Sequence, residues 1–236
     1  MDLAFMSESF VRLLAGVPLT LELAVSSVAL GFVLAVLVAL MVRSHSLPLA
    51  LIGEGYIFVF RGTPLLAQLF LIYYGLGQFR PALQEWGLWW FFRDAFYCAL
   101  LALTLNTGAY GAEIVRGGLQ SVPFGQIEAA RAFGMSGLTL LRRIIAPIAL
   151  RQALPGYGNE IILMVKATSL ASTITLMELT GLAHKLIAES YRAVEVFLCA
   201  GAIYLAINFV VSRLIAWVES RIAPDLHHQR ALVAAH

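Results

Sequence analysis

The middle of the chain reads Glu128-Ala129-Ala130-Arg131-Ala132-Phe133-Gly134, and Ile144-Ile145-Ala146-Pro147 follows a few residues later. Long apolar runs flank this polar segment, which indicates that it lies outside the hydrophobic interior. Residues 127–133 are predicted to form a short helix that Gly134 ends in a left-handed cap, and 138–145 a second helix that stops before Pro147. Two such helices predict a docking surface, and a solvated loop is the alternative.

The composition is that of a membrane protein. Hydrophobic residues make up 60% of the chain and charged residues only 13%, and the mean hydropathy is +0.83. These values exclude an ordinary soluble domain. The net charge of +2 identifies no partner, and no basic domain suits nucleic acid. Cys98 and Cys199 lie in apolar runs, so we predict two small buried hydrophobic side chains rather than a disulfide or a metal site.

The apolar runs predict an all-α integral membrane protein with five transmembrane helices. The first run, 13–42, would reach about 45 Å as a helix, which exceeds the roughly 30 Å hydrocarbon core. A cleaved signal peptide is not expected, because the preceding residues carry two acids and one arginine and the run is too long. The other predicted spans are 49–77, 95–115, 154–182 and 194–218. A transmembrane domain is thus expected over 1–226, with a loop at 116–152 and a disordered cytoplasmic tail at 227–236.

The distribution of Lys and Arg between the two sides predicts the orientation. One side collects nine of these residues: Arg43, Arg116, Arg131, Arg142, Arg143, Arg151, Arg213, Arg221 and Arg230. The other side collects five: Arg12, Arg80, Arg93, Lys185 and Arg192. The Glu128 segment and the C-terminus are therefore expected in the cytoplasm, and the N-terminus outside it.

The second span is predicted to break at Arg61-Gly62-Thr63-Pro64. Thr63 before Pro64 is the usual pairing of an N-cap hydroxyl with proline at the first helical position. The break would lie near the bilayer midplane, where a helix start can receive an anionic group. The alternative is a proline kink at which Arg61 snorkels or pairs with a neighbouring acid.

The third and fourth spans carry polar residues at helical spacing. Asn106, Tyr110 and Glu113 share one helical face, which cannot face lipid and would line a bundle interior or a water-filled path. The alternative is a hydrogen-bond set that only holds the bundle together. In the fourth span, Lys166, Ser169 and Thr173 share a face, and the other polar residues are Asn159, Glu160, Thr168, Ser172 and Thr175. A charge as deep as that of Lys166 needs a partner, either in a structural ion pair or from a substrate carboxylate.

The spacing from Glu128-Ala129-Ala130 to Gly134, Ile144 and Pro147 resembles the EAA loop of ABC-importer permeases, although Ala146 stands where that family usually has leucine. The resemblance extends over nearly the whole chain and is closest to the M-type permease of histidine/lysine/arginine/ornithine and octopine/nopaline importers. It rests on the following stretches: Phe60-Arg61-Gly62-Thr63-Pro64-Leu65, Leu105-Asn106-Thr107, Ala112-Glu113-Ile114, Ser121-Val122-Pro123, Leu154-Pro155-Gly156-Tyr157-Gly158-Asn159-Glu160 and Thr168-Ser169-Leu170-Ala171-Ser172. Tyr56-Ile57-Phe58-Val59-Phe60 and Met164-Val165-Lys166-Ala167-Thr168-Ser169 favour the opine branch.

The resemblance implies a type I importer in a bacterial inner membrane. Its expected partners are a homologous Q-type permease or a second copy of this chain, an ABC ATPase dimer and a periplasmic solute-binding protein. Glu128, Ala129, Ala130 and Gly134 would couple to the ATPase. The only lysines, Lys166 and Lys185, do not follow a glycine-rich nucleotide loop, so the partner is expected to use ATP and Mg²⁺, while this chain binds no cofactor and is no enzyme.

The implied substrate is an amino acid, a basic amino acid or an opine. Its cationic group would meet Glu160, the first choice, or Glu113, and its carboxylate would meet Lys166 or Arg61. The remaining candidate substrate-binding residues are Asn159, Ser169, Ser172, Asn106 and Tyr110.

Two rival functions are an ion-coupled secondary transporter and an intramembrane enzyme. The first would use Lys166, Glu113 and Glu160 as a titrating relay, although no inverted repeat is evident. The second would need Ser169, Ser172 and His184 to form a nucleophile and a base.

Overall fold

A computed structural model describes residues 2–222, and the secondary structure of this part of the chain consists of helices, without strands. The helices are α1 (Leu3–Leu14), α2 (Val17–Val42), α3 (Leu47–Gly62), α4 (Leu65–Phe70), α5 (Arg80–Glu85), α6 (Trp89–Phe92), α7 (Ala95–Gln120), α8 (Phe124–Ala132), α9 (Gly137–Leu140), α10 (Ala146–Ala167), α11 (Leu179–Ser190) and α12 (Ala193–Ile222). Wide π-type turns occupy Leu71–Gly75 and Leu141–Ile145, and a tighter 3₁₀ helix occupies Thr168–Ile174. The predicted disordered tail at 227–236 and Arg230 lie outside the described residues.

In the described part of the chain, three helices, α2, α7 and α12, are long and apolar enough to cross a membrane by themselves. Two further segments qualify as bent pairs. The segment Leu47–Gly62 meets Leu65–Gly75 at 104°, and Gly137–Ile174 meets Leu179–Ser190 at 48°. Counting each bent pair as one span gives five, in agreement with the number predicted from the sequence.

The first predicted span, 13–42, is not one continuous helix. The chain breaks after Leu14 and α2 begins at Val17. A side chain at Gly16 would place its Cβ 2.7 Å from the Cα of Leu179. The break therefore lets the start of α2 approach the start of α11, and α1 packs separately against α11 and α12.

The polar loop is shorter than its hydropathy indicates. The third span continues to Gln120, and helix resumes at Gly137, so α8 is the main element between them. Pro147 does not end a helix, contrary to the prediction. Proline has no N–H to donate to the carbonyl four residues earlier. The wide turn Leu141–Ile145 ends two residues before Pro147, and its altered hydrogen-bond spacing accommodates the missing bond, so the helix continues.

The core forms where α2 lies along α7. Leu23, Leu69, Leu103, Met164 and Ile174 belong to one buried cluster there, and a second cluster joins α1, α11 and α12. Helices α2 and α7 approach closely at Gly31, where a side chain would overlap that of Thr107. Both cysteines are buried, as predicted for small hydrophobic side chains.

Candidate functional site

A polar cavity of about 550 Å³ opens between α3 and α7. Helix α3 ends at the break before Pro64, and this places Arg61 opposite the polar face of α7. The lining residues are Val42, Glu54, Ile57, Phe58, Arg61, Gly62, Tyr110, Glu113 and Arg116. Three of the candidate substrate-binding residues, Arg61, Tyr110 and Glu113, therefore meet at one site.

Glu113 is the centre of the charged contacts in this cavity. Its Oε2 lies 3.5 Å from Nη1 of Arg61 and 2.6 Å from Nη2 of Arg116. The Arg116 Nε also donates to Glu113 Oε1 at 3.0 Å, which makes that pair bidentate. The Arg61 guanidinium lies over the Tyr110 ring, 5.3 Å from its centroid.

These side chains remain accessible to an incoming ligand. The Arg61 side chain is 42% exposed and that of Glu113 is 26% exposed. With Glu54 and Arg116 the cavity carries two carboxylates and two guanidinium groups. Such a set can exchange its internal ion pairs for pairs with a zwitterion, because each end of the zwitterion finds an opposite charge.

Asn106 shares the helical face of Tyr110 and Glu113, as predicted, but does not line the cavity. It is buried, and its Nδ2 donates to Gln68 Oε1 at 3.1 Å and to the Phe60 carbonyl at 3.3 Å. For Asn106 the structural alternative, an interhelical hydrogen-bond set, describes the geometry.

The break at Thr63 and Pro64 is confirmed, but its predicted chemistry is wrong. Thr63 does not cap α4, because its hydroxyl donates back to the Val59 carbonyl at 2.7 Å and the N-cap position is Pro64. Gln68 stabilises the bend instead, since its Nε2 donates to the Phe60 carbonyl and to Thr63 Oγ1, each at 2.9 Å. Gln68 was not predicted from the sequence, although an amide one turn beyond a proline in an apolar stretch is a visible signal.

Glu160, the first-choice substrate residue, is 6% exposed and lies outside this cavity. Its carboxylate lies close to the buried Thr107 hydroxyl of α7, and that hydroxyl has no hydrogen-bond partner among the described residues. The neighbouring Asn159 points the other way and is exposed. Consecutive residues of α10 thus divide between the bundle interior and the outer surface of the subunit.

Lys166 is exposed near the end of α10, and within residues 2–222 its ammonium forms no ion pair, so neither Glu160 nor Glu113 is its partner. Ser169 and Ser172 donate to carbonyls three residues earlier, each at 2.7 Å. The 3₁₀ geometry from Thr168 onward produces these short-range bonds.

A buried carboxylate that was not predicted from the sequence joins three helices. Glu178 is fully buried at the start of α11. Its Oε2 accepts from the Tyr204 hydroxyl at 2.9 Å and its Oε1 from the Gly181 N–H at 2.9 Å. The Thr20 hydroxyl of α2 lies 3.4 Å from Oε2. The signal was an acid inside an apolar run, which is costly in a membrane unless it is satisfied.

Residues 128–132 of the polar segment form the C-terminal half of α8. Glu128 and Ala129 are exposed, whereas Ala130 is 5% exposed and faces the protein. Gly134 follows α8 with a φ of +79°, which confirms the predicted left-handed cap. Its N–H donates to Arg131 and that of Met135 to Ala130, the two bonds of a Schellman motif.

The model of the family described as "Binding-protein-dependent transport system inner membrane component" matches residues 27–224. The chain belongs to this permease family. Relatives include the octopine transport system permease protein OccM of Rhizobium radiobacter, which is 60% identical over 97% of this chain and 93% of its own length. The nopaline permease NocM of Agrobacterium fabrum is 57% identical over 99% and 95%. The histidine/lysine/arginine/ornithine permease HisM of Salmonella typhimurium is 42% identical over 87% and 88%.

Solved structures agree with this membership. A chain from an amino acid ABC transporter with histidines superposes with a TM-score of 0.82 at 36% identity, covering 94% of this permease and 99% of that chain. A chain of the MetNI methionine ABC transporter superposes with a TM-score of 0.72 at 20% identity, covering 90% and 96%, and supports the fold alone.

The permease is therefore a multi-pass inner-membrane transporter subunit and not an enzyme, and ATP is hydrolysed by a separate subunit. The resemblance to polar amino-acid importer permeases and the type I importer fold are confirmed. The hypotheses of an ion-coupled transporter and of an intramembrane enzyme are not retained. His184, the base of the second, packs its ring against Phe197 with centroids 5.7 Å apart.

Proposed function

We propose that this permease imports an opine or a basic amino acid and that the cavity between α3 and α7 binds the charged groups of the substrate. The relatives named for octopine, nopaline and basic amino acids support the substrate class. An opine or a basic amino acid carries carboxylate and cationic groups in one small molecule. The observation that carries the proposal is the convergence of Arg61, Tyr110, Glu113 and Arg116 on one accessible cavity.

In this proposal Arg61 receives a substrate carboxylate and Glu113 receives the cationic group. The ion pair of Arg61 with Glu113, at 3.5 Å, is the weaker of the two ion pairs that Glu113 makes. The Arg61 side chain is also more exposed than that of Arg116. Arg116 keeps Glu113 oriented through its bidentate contact. The Tyr110 ring holds the Arg61 guanidinium in place when Glu113 changes partner.

The proposed assembly pairs this permease with a Q-type permease, an ATPase dimer and a periplasmic solute-binding protein. Helix α8 would contact the ATPase, because Glu128 and Ala129 are exposed while Phe124 and Phe133 leave 69% and 84% of their surface uncovered. In this proposal α8 and the C-terminus lie in the cytoplasm and the N-terminus lies in the periplasm. The exposed Asn159 and Lys166 would face the second permease or the shared path, where Lys166 could gain a carboxylate partner.

The test is substrate-dependent uptake by the complete transporter reconstituted with its solute-binding protein. Replacing Glu113 with Gln removes the charge that meets the cationic group, and a charge-assisted hydrogen bond contributes about 1.5–3 kcal/mol. We expect the KM for a cationic substrate to rise by about tenfold or more, while a neutral analogue is transported nearly as before. Glu85→Gln, an exposed acid of α5 outside the cavity, is the matched control.

The thermal stability of each purified variant separates the two roles of Glu113. A loss of stability and of maximal rate with an unchanged preference between cationic and neutral substrates would mean that Glu113 is only a structural ion-pair partner. That result would remove the cavity from the proposal and leave the membership of the family untouched.

A further inference from the structure

One face of the helical segment 137–167 changes character along its length. The residues concerned recur at intervals of three or four, so they form a single stripe along the helix. At the α9 end the stripe consists of Thr139, Arg142 and Arg143. From Ala146 onward it is apolar, with Ala149, Leu150, Ala153, Leu154 and then Tyr157.

The polar end of the stripe lines a cavity of about 440 Å³ formed by Leu138, Thr139, Arg142 and Arg143. Both arginines are exposed, and among residues 2–222 neither guanidinium makes a hydrogen bond or an ion pair. They lie in the wide turn Leu141–Ile145, where consecutive side chains diverge less around the axis than in an α-helix. Both guanidinium groups, which are exposed and unpaired within residues 2–222, therefore line the same side of the helix.

The apolar part of the stripe lines a cleft of about 330 Å³ shared with α2 and α7. No charged side chain among residues 2–222 lines it, and three alanines of α10 keep it open. Phe32 and Leu150 are 43% and 49% exposed there. Tyr157 closes the far end with its ring edge-on to Phe32, at a centroid distance of 5.3 Å.

The dimensions fit one leaflet of a bilayer. From Ala146 to Tyr157 the helix rises by about 16 Å, and half of the hydrocarbon core is about 15 Å. The arginines lie one helical turn beyond the cleft, where the phosphate of a lipid would be. We propose that the stripe binds one anionic phospholipid, with its phosphate at Thr139, Arg142 and Arg143 and one acyl chain in the cleft.

This ligand class accounts for both halves of the stripe. Guanidinium groups bind phosphate in a bidentate manner, and basic clusters next to a membrane span attract anionic lipids. An acidic protein surface would satisfy the arginines but would leave the adjoining apolar cleft uncovered. An amphiphile with an anionic head satisfies the two together.

The test measures the lipid retained by the purified complete transporter, using native mass spectrometry. The transporter is exposed to equal amounts of phosphatidylglycerol and phosphatidylcholine with identical acyl chains. We expect selective retention of phosphatidylglycerol, and its loss by on the order of tenfold or more in the Arg142→Gln/Arg143→Gln variant. Ala146→Leu fills the cleft without changing the charge and is expected to lower retention of both lipids.

Arg43→Gln is the matched control, because Arg43 is an exposed arginine at the end of α2 that does not line either cavity. It should leave retention unchanged. An equal loss in Arg43→Gln would indicate general charge attraction, and unchanged retention in Ala146→Leu would show that the cleft holds no acyl chain. Either result overturns the proposal, as does a photo-cross-linker at Leu150 that couples to another protein subunit instead of lipid. If the double variant does not assemble, Arg142→Gln alone carries the same test.

Discussion

At the scale of single residues, Gly134 shows how one backbone conformation shapes the proposed coupling surface. Its φ of +79° lies in the region that residues with a side chain rarely adopt, and the Schellman bonds that end α8 depend on it. A Cβ at Gly134 would meet no atom of residues 2–222 within 4 Å, apart from its chain neighbours. The effect of a substitution there is therefore conformational and not a steric clash with neighbouring elements.

We expect Gly134→Ala to destabilise the end of α8 by about 1 kcal/mol. Hydrogen exchange of the α8 amides should become faster. The ATP turnover that the solute-binding protein stimulates in the assembled transporter should fall. Gly125→Ala is the control, because Gly125 is helical, also has open space around it and has no positive φ. If both alanine variants exchange and turn over ATP alike, the cap at Gly134 does not determine coupling.

At the scale of elements, Glu178 links α2, α11 and α12 through buried hydrogen bonds. Replacing it with alanine leaves the Gly181 N–H and the Tyr204 hydroxyl without this acceptor. Each unsatisfied buried group costs about 1–3 kcal/mol. We expect a clear drop in the thermal unfolding midpoint of the solubilised protein, whereas Glu189→Ala, at an exposed position of α11, should change it little. Equal midpoints for the two variants would contradict this role.

The docking of α1 is expected to depend on pH. The Phe5 N–H and then the Arg192 guanidinium lower the pKa of Asp2 from its ordinary value of 3.8. Because the pKa is lower in the folded state, this stabilisation is present above the ordinary value and is lost as the pH falls through it towards the folded pKa. Protection of the α1 amides from exchange should therefore decrease in acid. Asp2→Asn should remove that dependence, and an unchanged profile in this variant would contradict the assignment.

At the scale of the whole molecule, the sequence predicted the features that depend on local pattern. The apolar runs predicted the spans, the glycine after Ala132 and Phe133 predicted the cap, and helical spacing placed Tyr110 and Glu113 on one face. Features that depend on packing between distant segments were missed. Gln68 stabilises the bend through contacts with α3 and α7, and Glu178 meets Tyr204, and neither pairing leaves a periodic signal. The prediction that Thr63 caps α4 is wrong because the Thr63 hydroxyl instead donates to the Val59 carbonyl in the last turn of α3.

The central claim for the whole molecule is that this subunit forms an import path driven by ATP hydrolysis in another polypeptide. The most direct measurement is uptake of a basic amino acid or an opine into proteoliposomes that hold the complete transporter. The solute-binding protein is added outside and ATP is enclosed inside. Uptake should require ATP and persist when ionophores abolish every ion gradient. Uptake driven by an imposed ion gradient in vesicles without ATP would contradict the account.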